Sequence, residues 1–237
     1  MKYKKGFTLI ELMVSFSIMA VVSAVIIYNH QKFNDNLEIT NLSYEVALAL
    51  RQAQVYGVSA RDFKEGVNTP EEERFNTPYG IHFGATATGK SKDNLSFIFF
   101  ADVADAFGVH DGKYNAMQDV VLKKTDIGRG NYIFALCEQA GTSSGWYCDV
   151  NDGNGNVKRD KLDITFTRPD PDARFEFSSG HASQAVRVCL MSPQGREKQI
   201  DVYTTGQISI VNDSCLVYLS EEAGDPIDNG DPGNAFE

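Results

Sequence analysis

The sequence predicts an α+β fold, in which a long N-terminal helix packs through its second half on an antiparallel β-sheet head with the sheet in two layers. Residues 7–28 are predominantly apolar. Residues 39–60 carry apolar side chains at alternating spacings of three and four, which is typical of one face of a helix. From residue 79 onwards, short apolar stretches alternate with turns that contain Gly or Pro, which is typical of antiparallel strands.

The apolar segment 7–28 predicts a membrane-spanning helix. As a helix it is roughly 33 Å long, enough to cross the hydrocarbon core of a bilayer. Lys2, Lys4 and Lys5 precede it, and the positive-inside rule therefore places the N-terminus in the cytoplasm. Because neither Pro nor Gly interrupts the chain from there to Gly57, we expect one helix to continue into the head.

Glu11 is the one charged residue in this segment. A carboxylate at mid-bilayer costs about 2.5–3.5 kcal/mol, so its presence calls for a functional reason. Two alternative interpretations of the segment give no functional reason for this carboxylate. One is a secretory signal peptide cut after Ala24, which the charge and the continuing apolar residues 25–27 oppose. The other is a plain membrane anchor with Glu11 near the interface.

Residues 6–14, Gly-Phe-Thr-Leu-Ile-Glu-Leu-Met-Val, resemble the processing motif of type IV pilins and of the pseudopilins of type II secretion. The resemblance implies that a prepilin peptidase cuts after Gly6 on the cytoplasmic side and methylates the new terminus at Phe7. It also implies that Glu11 pairs with the terminal amine of a neighbouring subunit during filament assembly. That pairing supplies the carboxylate with an opposite charge in low dielectric.

Two further features favour a minor pilin or an H-type minor pseudopilin over a major pilin. Tyr28 stands where many major pilins carry a proline. Residues 42–56 and the turn at 191–196 resemble the corresponding regions of H-type pseudopilins. That resemblance implies an exposed helix face carrying Arg51, Gln52 and Gln54.

The chain divides into five predicted segments. They are a leader (1–6), a filament-core helix (7–28), an amphipathic continuation (29–60), a β-rich extracytoplasmic head (61–219) and an acidic flexible tail (220–237). Strands are predicted at 79–83, 95–101 (as the central strand), 120–122, 132–137 and 162–166 with alternating burial, and a four-stranded meander at 174–177, 185–191, 198–203 and 207–211.

The composition indicates an exported head that does not bind nucleic acid. The formal net charge is −10, whereas phosphate binding relies on clustered Lys and Arg. Cys137, Cys148, Cys189 and Cys215 lack the CxxC spacing of zinc or thioredoxin-like sites, and export makes disulfides plausible. Of three pairings, Cys137–Cys148 and Cys189–Cys215 are favoured, because each pair brackets a predicted strand return. Buried free thiols are the alternative.

Two acidic loops raise the hypothesis of a calcium site. Asp152, Asn154 and Asn156 alternate as at the start of a calcium loop, and Asp163 falls at the twelfth position. Val157 occupies the position where such loops have Gly, so an Asx-rich hairpin turn is the favoured interpretation. The second loop contains aspartates at positions 102, 105 and 111.

No motif for catalysis is present, and the four histidines are far apart in sequence. The predicted function is therefore structural. The resemblance implies a subunit that assembles with other pilin-type subunits and meets the prepilin peptidase and an inner-membrane assembly platform. It is first a single-pass inner-membrane protein and then part of a filament. The alternatives are a minor pilin for adhesion or DNA uptake, and a secreted binding protein with a signal peptide.

Overall fold

The computed structural model describes residues 6–59, 75–85, 93–105, 108–139, 146–148, 160–177, 184–212 and 215. Within these residues, a single α-helix, α1 (Leu9–Val58), runs for 50 residues without interruption. Its length is about 75 Å. At its end the Ser59 amide donates to the carbonyl of Val55 at 3.1 Å.

The described part of the head consists of ten strands and a 3₁₀ turn at Asp93–Leu95. The strands are β1 (Tyr79–Gly84), β2 (Ser96–Ala101), β3 (Val120–Asp126), β4 (Tyr132–Gln139), β5 (Tyr147–Cys148), β6 (Lys161–Phe166), β7 (Ala173–Phe177), β8 (Ala185–Met191), β9 (Glu197–Tyr203) and β10 (Ile208–Val211).

These strands form two five-stranded antiparallel sheets. The first has the order β3-β2-β1-β6-β7, and the second has the order β10-β9-β8-β4-β5. Strand β1 is the middle of the first sheet, with His82 opposite Ile98 of β2 and opposite Asp163 of β6. The edge strand β3 is mostly exposed to solvent and carries a bulge opposite Phe99 and Phe100.

One hydrophobic core joins α1 to both sheets. The helix contacts β1 and β6 of the first sheet and β8, β9 and β10 of the second. Its buried stripe contains Ile39, Leu42, Val46, Leu50 and Ala53. Facing it are the inward side chains of the strands, among them Ile81, Phe83, Ile164, Phe166, Val188, Ile200 and Val202.

Gly57 permits a close contact between α1 and the head. A Cβ atom at this position would collide with the backbone carbonyl oxygen of Phe166 in β6. The last turn of the helix therefore lies directly against the strand, and any larger residue at 57 would push the two apart.

The opposite face of the second sheet carries a smaller core built around two disulfides. Cys137–Cys148 joins β4 to β5, and Cys189–Cys215 joins β8 to a later part of the chain. Both are the pairings that the sequence favoured. Beside them, Arg187 donates from Nε and Nη2 to the Asp201 carboxylate at 2.7 and 2.8 Å, and its guanidinium lies 3.9 Å from the Trp146 ring centre.

The predicted α+β class is confirmed, but four details of the sheet prediction were wrong. Strand β7 is not part of a meander with β8–β10; it pairs with β6 in the first sheet. The central strand is β1, with β2 beside it. Strand β5 was not predicted. Strand β6 does not alternate in burial, since its five residues from Leu162 to Phe166 are all buried.

Candidate functional site

The candidate functional site lies at the start of α1, where the chain passes from Gly6 into the helix. Thr8 is the N-cap residue, with the extended backbone typical of that position (φ −79°, ψ 152°). Its amide and its hydroxyl both donate to Oε2 of Glu11 at 2.9 Å. The Glu11 amide donates in return to Oγ1 of Thr8 at 3.3 Å. This arrangement is a capping box.

The capping box explains locally why a carboxylate stands at position 11. The first four amides of a helix lack partners within it, and Glu11 and Thr8 together satisfy two amides near this terminus. A negative charge in the first turn also interacts favourably with the helix dipole. Glu11 thus has a partner in the single chain, besides the partner that the resemblance implies in a neighbouring subunit.

The apolar segment that follows is not covered by the head. Leu9–Ile27 is long and apolar enough to cross a membrane by length and composition, and none of it is buried. Two of its three serines bond within the helix, since the hydroxyls of Ser15 and Ser17 donate to the carbonyls of Glu11 and Met13 at 2.7 and 2.9 Å. Such bonds suit an apolar environment, where an unpaired hydroxyl is costly.

The Gly6–Phe7 bond lies before the helix, in the exposed part of the chain. Phe7 is 89% exposed, and no described atom lies within 4 Å of a Cβ placed on Gly6. The bond at which the resemblance implies cleavage is therefore exposed in the described chain. Cutting it would create an amine at Phe7, one residue before the amide that binds Glu11.

Polar contacts fix the second half of α1 to the head near both of its ends, and Arg129 adds an ion pair with Glu38. Near the start of this half, Asp35 accepts a hydrogen bond from the Ser192 hydroxyl at 3.0 Å and lies 3.3 Å from Nε of Arg196. Near its end, Nε2 of Gln54 donates to the carbonyls of Pro171 and Gly206 at 3.1 and 3.0 Å. The resemblance placed Gln54 on the exposed face, whereas this side chain in fact binds the head.

The acidic loops give no metal centre within the described residues. Asp152, Asn154 and Asn156 lie outside them, so the calcium hypothesis for that loop stays a prediction. In the second loop, side chains at positions 102, 105 and 111 accept backbone amides of Gly112, Val109 and Lys113 at 2.9, 2.9 and 2.8 Å. No group of three or more metal-binding residues occurs in the part of the chain that the structure describes.

Asp119 anchors the same loop and was not identified from the sequence. Its two carboxylate oxygens accept the amides of Val103 at 2.9 Å and Asn115 at 2.6 Å. Burial, helped by the charges of Asp102 and Asp111, raises the pKa of Asp119 to about 6, against the opposing effect of these two bonds. No sequence motif identifies this residue.

A cleft of about 700 Å³ lies between this loop and the outer face of the first sheet. On its floor His82 Nδ1 is 2.7 Å from Oδ1 of Asp163, and the Tyr114 ring centre is 5.0 Å from that of His82. No sequence motif identifies this histidine–carboxylate pair, because its two members are 81 residues apart. Lysines and aspartates both line the cleft, so its charge favours neither cations nor anions (Lys113, Lys124, Lys161, Asp93, Asp111 and Asp163).

The comparisons with known proteins agree with the location of the site. Residues 1–27 match the family model described as the prokaryotic N-terminal methylation motif. The matched region covers Gly6, Phe7, Glu11 and the apolar segment, and it includes none of the head. The comparisons with curated proteins and with solved structures found no match.

Proposed function

We propose that this chain, which carries the N-terminal motif of the type IV pilin and pseudopilin family, is a structural subunit of a type IV pilus or of a type II secretion pseudopilus. A prepilin peptidase cuts after Gly6 and methylates Phe7. The apolar helix holds the subunit in the inner membrane, with the N-terminus cytoplasmic and the head on the other side, until an assembly platform moves it into a filament.

The observation that carries this proposal is the position of Glu11 within an unburied apolar helix. The head covers none of Leu9–Ile27, so a lipid bilayer or other helices must cover it. When the subunit moves from the lipid bilayer into a bundle of helices, the apolar segment enters a second apolar environment. Glu11 then serves as the polar contact of that bundle, because a charged hydrogen bond is stronger in low dielectric.

Cleavage supplies the partner for this contact. The new ammonium group at Phe7 is a cation, whereas the Thr8 amide and hydroxyl that Glu11 binds in the single chain are neutral. A charged donor from a neighbouring subunit replaces or supplements them at the same carboxylate. An uncut leader holds no ammonium group at this position, so the uncut chain does not assemble.

Within the family, the chain fits a minor pilin or an H-type pseudopilin better than a major pilin. Tyr28 in place of the frequent proline supports this assignment, and α1 runs through that position without a break. The role is structural rather than enzymatic. A minor pilin that binds DNA is less well supported, because the net charge of −10 opposes phosphate binding.

A filament-recovery experiment tests the proposal. The full chain and a Gly6→Leu variant are produced in cells that contain the peptidase and the assembly machinery, and filaments are sheared from the envelope and probed for the subunit. We expect the unaltered chain in the filament fraction and the variant in the membrane fraction, still attached to its leader. Equal recovery of both chains in filaments would exclude processing-dependent assembly.

A further inference from the structure

The two disulfides of the smaller core lie against each other. Sγ of Cys137 is 3.8 Å from Sγ of Cys189, and the two atoms belong to different disulfides. The two residues are diagonal neighbours on β4 and β8, since Cys189 lies opposite Ala135 and Cys137 lies opposite Arg187. At this distance the two sulfur atoms are in contact. The four cysteines therefore form one group, which we call the sulfur cluster.

Cys148 is the member of the sulfur cluster that solvent can reach. It is half-buried, whereas the other three cysteines are fully buried. It lies on β5, a two-residue strand at the edge of the second sheet. Thiol–disulfide exchange depends on which sulfur the attacking thiolate can reach. A reductant that approaches the folded head therefore attacks the sulfur of Cys148 first.

The sulfur of Cys215 lies beside an acceptor that only its thiol form can use. Oε1 of Gln199 is 3.3 Å from Sγ of Cys215, and both residues are buried. A sulfur in a disulfide has no proton to donate, whereas a thiol is a weak hydrogen-bond donor. A thiol released at Cys215 thus has a partner already in place, which lowers the cost of leaving it buried.

We propose that the sulfur cluster is a thiol–disulfide exchange site for a dithiol reductant. Reduction by one dithiol converts the two native disulfides into a single Cys137–Cys189 bond between β4 and β8, and Cys148 and Cys215 become thiols. This inference goes beyond the filament role, because it requires a folded head and a dithiol but no other subunit.

Three exchange steps give this product. A thiolate of the dithiol bonds to Cys148 and displaces the Cys137 thiolate. Cys137 then attacks Cys189 across the 3.8 Å contact and displaces the Cys215 thiolate. The second thiol of the reductant attacks the mixed disulfide and releases Cys148. Two electrons leave the dithiol, which becomes a disulfide, and its two protons end on Cys148 and Cys215.

The pairing of β4 with β8 favours the Cys137–Cys189 product. Their register joins the two strands at seven positions, which hold these two sulfurs close together whichever native bond is broken. Cys148 lies on a strand that pairs with β4 at only two positions. The effective concentration of the two thiols on β4 and β8 is therefore the higher one.

The exchange changes which segments are attached covalently to the sheet. The native bonds attach β5 to β4 and the chain at Cys215 to β8. The new bond joins two strands that are already paired, and neither β5 nor Cys215 remains attached. One two-electron reduction thus releases two segments, whereas reduction of an isolated disulfide would release one.

Limited reduction of the full chain tests the proposal. The chain in detergent is treated with dithiothreitol under native conditions, and acid then stops the exchange by protonating the thiolates. The chain is unfolded, its thiols are labelled with N-ethylmaleimide, and the remaining bond is mapped by mass spectrometry.

Among molecules that have lost one disulfide, we expect a main product with labels on Cys148 and Cys215 and a Cys137–Cys189 bond. Any other main product would overturn the proposal, for example labels on Cys137 and Cys148 with the second native bond intact. Resistance of both native bonds in the folded chain would also overturn it.

Two single substitutions form a matched pair. Cys148→Ala leaves a thiol at Cys137 beside Cys189, whereas Cys137→Ala leaves a thiol at Cys148 on β5. Both chains are purified without reductant and labelled in the same way. We expect Cys215 to carry about one tenth or more of the label in Cys148→Ala, and Cys148 to carry nearly all of it in Cys137→Ala. Label confined to Cys137 in the first variant, or equal labelling of Cys215 in both, would refute exchange through the sulfur contact.

Discussion

Thr8 and Glu11 cap helix α1 reciprocally. The Thr8 amide donates to Oε2 of Glu11 at 2.9 Å, and the Glu11 amide donates to Oγ1 of Thr8 at 3.3 Å. The residue that the family motif assigns to contacts between subunits therefore also stabilises the start of its own helix. In the single chain Glu11 has neutral partners, whereas the proposed assembly would offer it a charged one.

Replacing Glu11 by Gln distinguishes the role of its charge from its role in capping the helix. The amide oxygen of Gln still accepts the Thr8 amide, whereas the attraction to an ammonium group is lost. A hydrogen bond to a charged group contributes about 1.5–3 kcal/mol, so we expect filament recovery to fall about ten-fold or more. Cleavage after Gly6 should be unchanged. Ser15→Ala is the control, since it removes one hydroxyl from the same segment. Recovery of Glu11→Gln at the level of this control would show that the charge is not needed.

Gln54→Ala tests the contact between the end of α1 and the head. It removes two hydrogen bonds to the carbonyls of Pro171 and Gly206. Each such bond contributes about 0.5–1.5 kcal/mol, so we expect a loss of about 1–3 kcal/mol in the free energy of unfolding. Gln52→Ala, two residues away and exposed, should change it by about 0.5 kcal/mol or less. Denaturant titration of the full chain in detergent measures both. Equal effects would mean that Gln54 does not fix the helix.

The raised pKa of Asp119 predicts a pH dependence of stability. A carboxylate whose pKa is higher in the folded state binds its proton more tightly there. Its contribution is fully present below the unfolded value of 3.8 and is lost as pH rises through about 6. Relative to Asp119→Asn, the unaltered chain should therefore lose stability between pH 4 and pH 7. Thermal unfolding at a series of pH values checks this. A constant difference between the two midpoints would rule out a raised pKa.

Each disulfide should contribute about 3 kcal/mol to the free energy of unfolding. The two bonds close loops with sequence separations of 11 and 26 residues, for which the chain-entropy model gives about 2.8 and 3.5 kcal/mol. The double substitutions Cys137→Ala with Cys148→Ala, and Cys189→Ala with Cys215→Ala, remove them one at a time. Urea unfolding without reductant measures the losses. A loss below about 1 kcal/mol for either pair would refute its stabilising role.

Local patterns predicted much of this fold. The uninterrupted apolar and amphipathic residues defined α1, and its predicted stripe is buried at Ile39, Leu42, Val46 and Ala53. The β-branched and aromatic runs located nine of the ten described strands. The pairing of nearby cysteines followed from the strand returns between them. Each of these features depends on residues close together in sequence.

Several features that the sequence did not reveal depend on contacts between distant segments. Strand β7 pairs with β6, with Phe175 opposite Ile164 in the first sheet. The alternation of apolar residues in β7 does not by itself select one sheet over the other. Gln54 binds carbonyls more than a hundred residues away. Residue type and spacing do not specify such contacts.

The mass of the mature N-terminus tests the central claim most directly. The full chain is isolated from cells that contain the prepilin peptidase, and its N-terminal peptide is sequenced by mass spectrometry. Processing of the pilin type predicts a chain that begins at Phe7 and carries one methyl group on its α-amine. A chain that begins at Val25 would instead identify a signal peptide, and an intact Met1 would show that Gly6 is not a cleavage site. Either result would contradict the account.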